Sequence, residues 1–270
     1  MRRCTIIAPD TGPARSMPGL NTQQREAVRY IDGPLLVLAG AGSGKTSVIT
    51  EKIVYLVRQC GQRPDRIAAV TFTNKAAREM RQRIGSLLSK EATEKLTIST
   101  FHQLGLKIIR HEQTQLSLRR GFSIFDNQDT LTLLQELLRQ ESRVAADQAG
   151  AVAQRISAWK STCTDSEKAL HETSGPAELL AARTYERYAE ALRAFNAVDF
   201  DDLLMLPARL LENCRDTRQR WQERTHYMLV DEYQDTNEAQ YRLVRQLTGL
   251  RAALTVVGDD DQSIYAWRGA

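Results

Sequence analysis

Apolar and polar positions in the first hundred residues follow a pattern that predicts an α/β fold. Short apolar runs, which indicate buried strands, lie at residues 35–38, 67–72 and 96–100. Residues 48–59 and 74–88 carry apolar positions at helical spacing, and Asn21 is placed to cap an earlier helix that begins near Thr22. The resulting order of strand, helix, strand, helix and strand is typical of a parallel sheet.

The pattern changes after residue 103. Residues 104–197 contain helical periodicity, most clearly at 131–138 and 185–195, and almost no strand signal. Apolar strand patterns return at 227–230 and 253–257, separated by a predicted helix over residues 237–248. We therefore expect a parallel sheet domain into which an all-helical subdomain is inserted.

The composition is that of an ordinary globular protein, with 42% hydrophobic and 26% charged residues in a chain of 270. The sequence contains no run of 18 apolar residues, so no membrane partner is expected. Residues 1–16 predict a flexible extension, with Met17 as an alternative start. The four widely spaced cysteines form no Cys-x-x-Cys pair, which disfavours a zinc site and favours reduced thiols in a cytoplasmic protein.

The charge is distributed unevenly, although the net value is only +4. Residues 17–103 carry a net charge of +6, whereas residues 198–270 carry −4. A basic N-terminal part suits the phosphates of a nucleotide or a nucleic acid, and an acidic C-terminal part suits a metal site. Charge alone does not establish DNA binding, because solvated faces give similar numbers.

A glycine-rich turn after the first strand carries the strongest chemical signal. It reads Ala39-Gly40-Ala41-Gly42-Ser43-Gly44-Lys45-Thr46. The N–H groups of such a turn and of the following helix bind phosphates, while Lys45 can reach the β- and γ-phosphates and Thr46 can ligate Mg²⁺. The usual first glycine of this motif is Ala39 here, but three glycines keep the turn flexible. The turn predicts a nucleoside triphosphate site.

Two carboxylates, Asp231 and Glu232, follow the predicted strand at 227–230. Parallel sheets bind their ligands at the carboxyl ends of the strands. Asp231 is therefore placed to hold Mg²⁺, and Glu232 is the candidate general base for an attacking water. An Asp-Glu pair is weak evidence alone, but together with the lysine-containing turn it indicates nucleotide hydrolysis.

A third polar segment, residues 258–268, follows the strand at 253–257. Gln262 in this segment is placed to sense the γ-phosphate. Tyr265, Trp267 and Arg268 follow closely, and aromatic side chains beside an arginine can stack on unpaired bases, with roughly 1–3 kcal/mol per base. Taken alone, such an aromatic pair is more often part of a core.

With these motifs the chain resembles the superfamily 1A DNA helicases, the group of Rep, UvrD and PcrA, and is most similar to the bacterial Rep type. The resemblance covers residues 20–270. Residues 20–28 are similar to the Q motif of the family, which implies that Gln24 reads the adenine edge. The family also carries alanine at the position of Ala39, whereas Ser47 replaces its usual arginine and puts one nucleotide contact in question.

The resemblance also implies a path for single-stranded DNA. Residues 71–77 and 98–102 are similar to segments that contact DNA in the family, and residues 199–204 to a further family segment. The DNA-binding residues implied in this way are Phe72, Thr73, Asn74, Thr100, His102, Tyr265, Trp267 and Arg268. In the same family Gln262 couples the state of the nucleotide to the stacking aromatics.

The implied architecture is a RecA-like domain 1A at 17–103 and 198–270, with a helical domain 1B at 104–197. Family members continue into a second RecA-like domain that completes the ATP site. We therefore expect this chain to be the N-terminal part of a longer protein and not to unwind DNA by itself.

The implied activity is that of a 3′–5′ DNA helicase and single-stranded DNA translocase, which unwinds duplex junctions with ATP and Mg²⁺ as cofactors. Lys45, Glu232 and Gln262 are the implied catalytic residues. Replication-restart proteins stay open as partners, and restart of stalled replication forks and another repair task stay open as the physiological role.

Two other functions remain open at this point. A P-loop ATPase of repair or recombination that is not a helicase would share the nucleotide turn, but the Gln24 motif, the insertion and the 258–268 segment disfavour it. A truncated module that only binds ATP or nucleic acid would keep the motifs without turnover. A helicase, unlike the other ATPase, should need single-stranded DNA for ATP turnover. The coding sequence after Ala270 distinguishes a helicase from a truncated binding module.

Overall fold

The computed structural model describes residues 19–40, 44–140, 146–249 and 253–259. The chain forms two compact units. Of the described residues, the first unit contains 19–40, 44–100, 222–234, 248–249 and 253–259, and the second contains 101–140, 146–221 and 235–247. Among the described residues, no helix is both long enough and apolar enough to cross a membrane.

Helices and strands alternate at first and then give way to a helical stretch. In chain order the described elements are α1 (Thr22–Arg29), β1 (Leu35–Leu38), α2 (Lys45–Arg58), β2 (Ile67–Thr71), α3 (Asn74–Leu87), α4 (Lys90–Lys95), β3 (Thr97–Thr100), α5 (Phe101–Glu112), β4 (Ser123–Phe125), α6 (Asn127–Arg139), α7 (Ala149–Ser161), α8 (Ser166–Glu172), α9 (Pro176–Ala194), β5 (Ala197–Asp199), α10 (Asp202–Asn213), α11 (Arg215–Arg224), β6 (Tyr227–Val230), α12 (Glu238–Thr248) and β7 (Leu254–Gly258).

A five-stranded sheet forms the centre of the first unit, in the order β1–β7–β6–β2–β3. Every neighbouring pair is parallel, with Val37 opposite Val257 and Leu229 opposite both Thr255 and Ala69. The predicted parallel sheet is confirmed. Because β1, β7 and β6 are neighbours, the segments that follow these three strands leave from one edge of the sheet.

The core of the first unit lies between this sheet and the apolar faces of α2 and α3. Ile53, Met80, Ile84 and Leu229 are fully buried there. Each such side chain contributes about 1.5–3 kcal/mol by leaving water. This packing fixes α2, and with it the lysine at the start of α2, against the sheet.

A buried lysine joins α1 to α2. The Lys52 ammonium of α2 donates to the carbonyl oxygens of Ala27 at 2.8 Å and Tyr30 at 2.5 Å, and lies 5.6 Å from the centre of the Tyr227 ring. Since the last carbonyls of a helix have no partner within it, this ammonium caps the C-terminal end of α1. Burial lowers the pKa of Lys52 to about 7.

The second unit is mainly helical, and one of its apolar cores joins α6, α7, α8 and α9. Leu134, Leu138, Ile156 and Tyr185 are buried in it. The structure adds one strand to the helical pattern predicted for residues 104–197, because β4 pairs in parallel with β5. A strand of three residues is too short to show a period in the sequence.

A charged cluster is buried beside this core. The ammonium of Lys160, which is 2% exposed, lies 2.7 Å from Asp199 Oδ2 and 2.7 Å from Asp202 Oδ1. Tyr188 donates its hydroxyl to Asp199 Oδ2 at 2.9 Å, and the Lys160 ammonium lies 5.3 Å from the Tyr188 ring centre. Burial and the Asp199 charge raise the pKa of Asp202 to about 7. Burial opposes the charge of Lys160, but the two aspartates outweigh it and raise the Lys160 pKa.

Helices α5 and α10 meet closely at Gly105. A Cβ atom at this position would lie 1.8 Å from the carbonyl oxygen of Leu203 and 3.5 Å from Pro207 Cγ. Only glycine leaves room for the α10 backbone at such a distance.

Candidate nucleotide site and nucleic-acid interface

The predicted phosphate loop joins β1 to α2 in the first unit. The Ala39 N–H donates to the Gly258 carbonyl at 3.0 Å, which ties the start of the loop, just before Gly40, to the end of β7. Gly44 caps α2 with a φ of +81°, a left-handed conformation that other residues rarely adopt. Lys45 and Thr46 are the first residues of α2, where the free N–H groups and partial positive charge of the helix favour phosphate.

Lys45 lies between two carboxylates from different segments of the chain. Its ammonium is 3.2 Å from Asp259 Oδ2 and 3.6 Å from Glu232 Oε2. The Lys45 side chain is only 9% exposed and that of Asp259 only 2%. The structure therefore brings together two of the predicted catalytic residues, Lys45 and Glu232, and adds Asp259.

Asp231 directly follows β6 and is buried, with 3% exposure. Its N–H donates to the Val70 carbonyl at 3.0 Å, and its Oδ1 accepts from the Glu232 N–H at 3.1 Å. Burial first, and then the neighbouring Glu232 charge, raise the pKa of Asp231 to about 6, while Lys45 opposes this rise. Two carboxylates and the phosphate-loop lysine thus influence one another electrostatically, as expected for a site that handles charged phosphates.

Glu232 has a φ of +54°, which is uncommon for a residue with a side chain. Such a conformation costs on the order of 1–3 kcal/mol and is found mainly at functional sites. It turns the chain sharply after Asp231, so that Glu232 reaches Lys45 although the two carboxylates are consecutive in sequence.

Gln234 and Asp259 lie in segments that resemble the family, at 231–235 and 258–268, but the motifs assigned no role to either residue. Gln234 Nε2 donates to Glu232 Oε2 at 2.8 Å, and Gln234 Oε1 accepts from the Asp259 N–H at 3.0 Å. One signal was available for Asp259, because it lies two residues after the strand predicted at 253–257, much as Asp231 follows the strand at 227–230. A glutamine in a polar turn gives no comparable signal.

Gln24 lies next to the phosphate loop. Its Oε1 accepts from the Asn21 N–H at 2.8 Å and completes a capping box with the Asn21 side chain. A Cβ atom on Gly44 would come within 3.2 Å of Gln24 Nε2. The Q-motif residue is therefore held by the start of α1 with its amide nitrogen beside the loop.

The oxygen donors of the site fit magnesium. Mg²⁺ usually takes one or two carboxylates, with waters and substrate phosphates as its other ligands. The Thr46 hydroxyl and the Asp231 carboxylate are donors of this kind. Two such donors suit a metal that binds together with phosphates. In the described part of the chain, no group of three or more His, Cys, Asp or Glu residues could hold a metal ion.

Four of the predicted DNA-binding residues lie at the ends of β2 and β3 in the first unit. Phe72 is half-buried directly after β2, and Thr73 and Asn74 are exposed. Thr73 caps α3, since its Oγ1 accepts from the Ala76 N–H at 3.1 Å. Thr100 is buried at the end of β3, opposite Thr71.

His102 lies in the first turn of α5, in the second unit. Its ring meets the Phe200 ring edge to face, with the centres 5.8 Å apart. Phe200 is 49% exposed, which is unusual for a phenylalanine beside a buried cluster. Phe200 lies in the segment at 199–204 that resembles the family, and the sequence assigns it no role.

Several predicted site residues lie outside the described residues. They are Ala41, Gly42, Ser43, Gln262, Tyr265, Trp267 and Arg268, together with the predicted extension at 1–16. Their assignments stay predictions.

Comparison with known proteins identifies close relatives. ATP-dependent DNA helicase Rep of Escherichia coli (strain K12) is 50% identical over 254 residues, which cover 93% of this chain and 37% of that protein. Rep of Buchnera aphidicola subsp. Baizongia pistaciae is 47% identical over 250 residues. ATP-dependent DNA helicase PcrA of Bacillus subtilis (strain 168) is 41% identical over 255 residues, or 94% of this chain and 34% of that protein.

The chain thus spans little more than a third of the length of these relatives. The family described as UvrD/REP helicase N-terminal domain matches residues 20–270. This range includes the phosphate loop, the Asp231–Glu232 pair and the Gln24 capping box. The chain belongs to the UvrD/REP helicase N-terminal domain family.

Proposed function

We propose that this chain is the ATP-binding and DNA-binding N-terminal part of a Rep-type helicase, which couples ATP hydrolysis to 3′–5′ movement on single-stranded DNA and to unwinding at duplex junctions. The observation that carries the proposal is that the segments after β1 and β6 meet at one edge of the sheet. There the ammonium of Lys45 lies 3.6 Å from the carboxylate of Glu232, although the two residues come from distant parts of the sequence.

In the proposed mechanism Lys45 and the N-terminus of α2 bind the β- and γ-phosphates. Thr46 and Asp231 would hold Mg²⁺, which neutralises the charge that develops on the phosphates. Glu232 orients the attacking water and accepts its proton. Gln24 reads the adenine edge beside Gly44.

The segments after β2 and β3 are the proposed track for single-stranded DNA. Phe72, Thr100 and His102 would contribute to this track, whereas Thr73 and Asn74 would contact the DNA backbone. The proposed assignments of Gln262 to γ-phosphate sensing and of Tyr265, Trp267 and Arg268 to base stacking come from the motif alone.

The domain boundaries belong to the same proposal. Domain 1A would comprise residues 17–103 and 198–270, and domain 1B residues 104–197. A second RecA-like domain in the longer protein would complete the ATP site, and replication-restart proteins are the proposed partners. The cytoplasmic location follows from the cysteine pattern and stays a prediction.

Nucleotide binding to the purified chain tests the proposal most directly. Calorimetry with Mg·ATP should show saturable binding, and Lys45→Ala should weaken it about tenfold or more, since a charge-assisted hydrogen bond contributes about 1.5–3 kcal/mol. Lys90→Ala removes an ammonium that is 91% exposed and should leave binding unchanged. Absence of binding by the wild type, or equal affinity for Lys45→Ala, would refute the proposed site.

Turnover in the longer protein that carries this chain distinguishes a helicase from another P-loop ATPase. ATP hydrolysis should require single-stranded DNA, and Glu232→Gln should abolish turnover while Mg·ATP still binds. Affinity for a fluorescent single-stranded oligonucleotide should fall steeply with salt, because phosphate contacts release counterions. ATP turnover that does not change when single-stranded DNA is added would favour a repair ATPase that is not a helicase.

A further inference from the structure

Gln234 bridges two segments that meet beside the phosphate-loop lysine. Its amide nitrogen donates to Glu232 Oε2 at 2.8 Å, and its amide oxygen accepts from the Asp259 N–H at 3.0 Å. One side chain therefore connects the proposed general base to the end of β7. Both ends of the amide are used, so its orientation is fixed.

The close approach of these segments depends on Gly258. A Cβ atom at Gly258 would lie 3.0 Å from Gln234 Oε1, 3.4 Å from the Gln234 backbone nitrogen and 3.6 Å from Tyr233 Cβ. Contacts at 3.0–3.4 Å are tighter than ordinary van der Waals packing. Glycine at this position lets the Gln234 amide reach the Asp259 N–H.

Two groups approach the same oxygen of Glu232. Gln234 Nε2 is 2.8 Å from Glu232 Oε2, whereas the Lys45 ammonium is 3.6 Å away and lies nearer to Asp259, at 3.2 Å. A distance of 3.6 Å is too long for a hydrogen bond. The donor from Gln234 thus occupies the oxygen through which Glu232 would otherwise form a closer ion pair with Lys45.

We infer that Gln234 is a positioning residue, which holds the Glu232 carboxylate against the end of β7 and keeps it from pairing closely with Lys45. The inference rests on the proposed role of Lys45 in phosphate binding. Nucleotide phosphates must compete with carboxylates for the Lys45 ammonium. By restraining Glu232, Gln234 leaves the lysine available to phosphate and keeps the proposed base in place for water.

The test replaces Gln234 with methionine, which has a similar length and no amide. In Gln234→Met, Glu232 is free to turn to Lys45, and Mg·ATP should bind about fivefold more weakly by calorimetry, the equivalent of one hydrogen bond. Hydrogen exchange at the Asp259 N–H should become at least about tenfold faster, because its acceptor is gone. The amides of Val256 and Val257, inside β7, should exchange as in the wild type.

Gln240→Met is the matched control. Gln240 is also buried and its Oε1 accepts from a backbone N–H, that of Asn237 at 3.0 Å, but it lies in the second unit. This variant should bind Mg·ATP as the wild type does and leave the Asp259 exchange rate unchanged.

A second substitution separates positioning from general damage. In Glu232→Gln/Gln234→Met the charge that competes for Lys45 is absent, so Mg·ATP affinity should return to within about twofold of Glu232→Gln alone. The inference would be overturned if the double variant bound Mg·ATP as weakly as Gln234→Met. It would also be overturned if Gln234→Met bound Mg·ATP with wild-type affinity. If the wild type itself bound no Mg·ATP, the proposed function would fail, whereas the exchange rate of Asp259 would still report on the bridge.

Discussion

Replacement of Lys160 with methionine would leave two buried carboxylates without the ammonium that lies 2.7 Å from each of them. Removal of one partner from a buried ion pair typically costs about 3–5 kcal/mol, because the remaining charge is neither solvated nor paired. Asp199 would keep the hydroxyl of Tyr188 as a donor, so the loss should not exceed this range. We expect Lys160→Met to lower the free energy of unfolding by about 3–5 kcal/mol at pH 7.5.

Urea unfolding, followed by circular dichroism at the helical minimum, measures this loss, since the second unit is mainly helical. With a slope of about 2 kcal/mol per M, the midpoint should fall by about 1.5–2.5 M. Lys168→Met is the matched control, because its ammonium is 58% exposed and 3.7 Å from Glu172. Exposed pairs contribute about 0–1 kcal/mol, so this midpoint should shift little.

The pH dependence provides an independent check of the cause. In Lys160→Met both carboxyls lack their counter-charge, so the pKa of Asp199, which is lowered in the wild type, should rise above that of the unfolded chain, and the pKa of Asp202, already raised to about 7, should rise further. Such groups destabilise the fold when they are ionised, so the deficit against the wild type should shrink as the pH falls from 8 to 5. The triple variant with Asp199→Asn and Asp202→Asn should recover part of the loss. A deficit below about 1 kcal/mol, or one that does not change with pH, would refute the reasoning.

Two further predictions concern buried positions elsewhere in the fold. Burial lowers the pKa of Lys52 to about 7, so above pH 7 the unfolded chain binds more protons than the folded chain. The free energy of unfolding of the wild type, relative to that of Lys52→Met, should therefore rise by about 1.4 kcal/mol per pH unit between pH 7 and 10. A difference that does not change with pH in urea titrations would contradict this. Gly105→Ala should destabilise by about 3 kcal/mol or more, because its Cβ would collide with the Leu203 carbonyl. Gly85→Ala, where the nearest atom is 3.8 Å away, should instead stabilise α3 by roughly 0.5–1 kcal/mol, and equal thermal stabilities of the two variants would count against the close contact.

The sequence was informative wherever a long periodic pattern or a phosphate-binding motif was present. The strands at 35–38 and 227–230, the helix at 74–87 and the start of α1 after Asn21 were predicted almost to the residue, because apolar runs and helix caps are local signals. The pairing of Lys45 with Glu232 followed from a general property of parallel sheets, whose carboxyl ends meet at one edge.

Features that depend on distant residues were not accessible in this way. The bridge from Gln234 to Asp259 joins residues 25 positions apart through a side-chain amide, and no spacing rule describes it. Of the buried cluster, the sequence showed a lysine after a tryptophan and two aspartates in the family segment at 199–204, but no sign that the three residues pair. Pairing between such segments is set by tertiary packing, which a single sequence does not show.

The strand order has a consequence for how the chain acquires its site. Val37 of β1 pairs with Val257 of β7, about 220 residues later. In the sheet, β7 and β6, which come late in the chain, lie between β1 and β2. Contacts over such separations form slowly, because a long loop must first close. During synthesis β2 and β3 can pair early, whereas β1 must wait until β6 and β7 have left the ribosome. Lys45 therefore gains its carboxylate neighbours, Glu232 and Asp259, only after these two later strands have been synthesised.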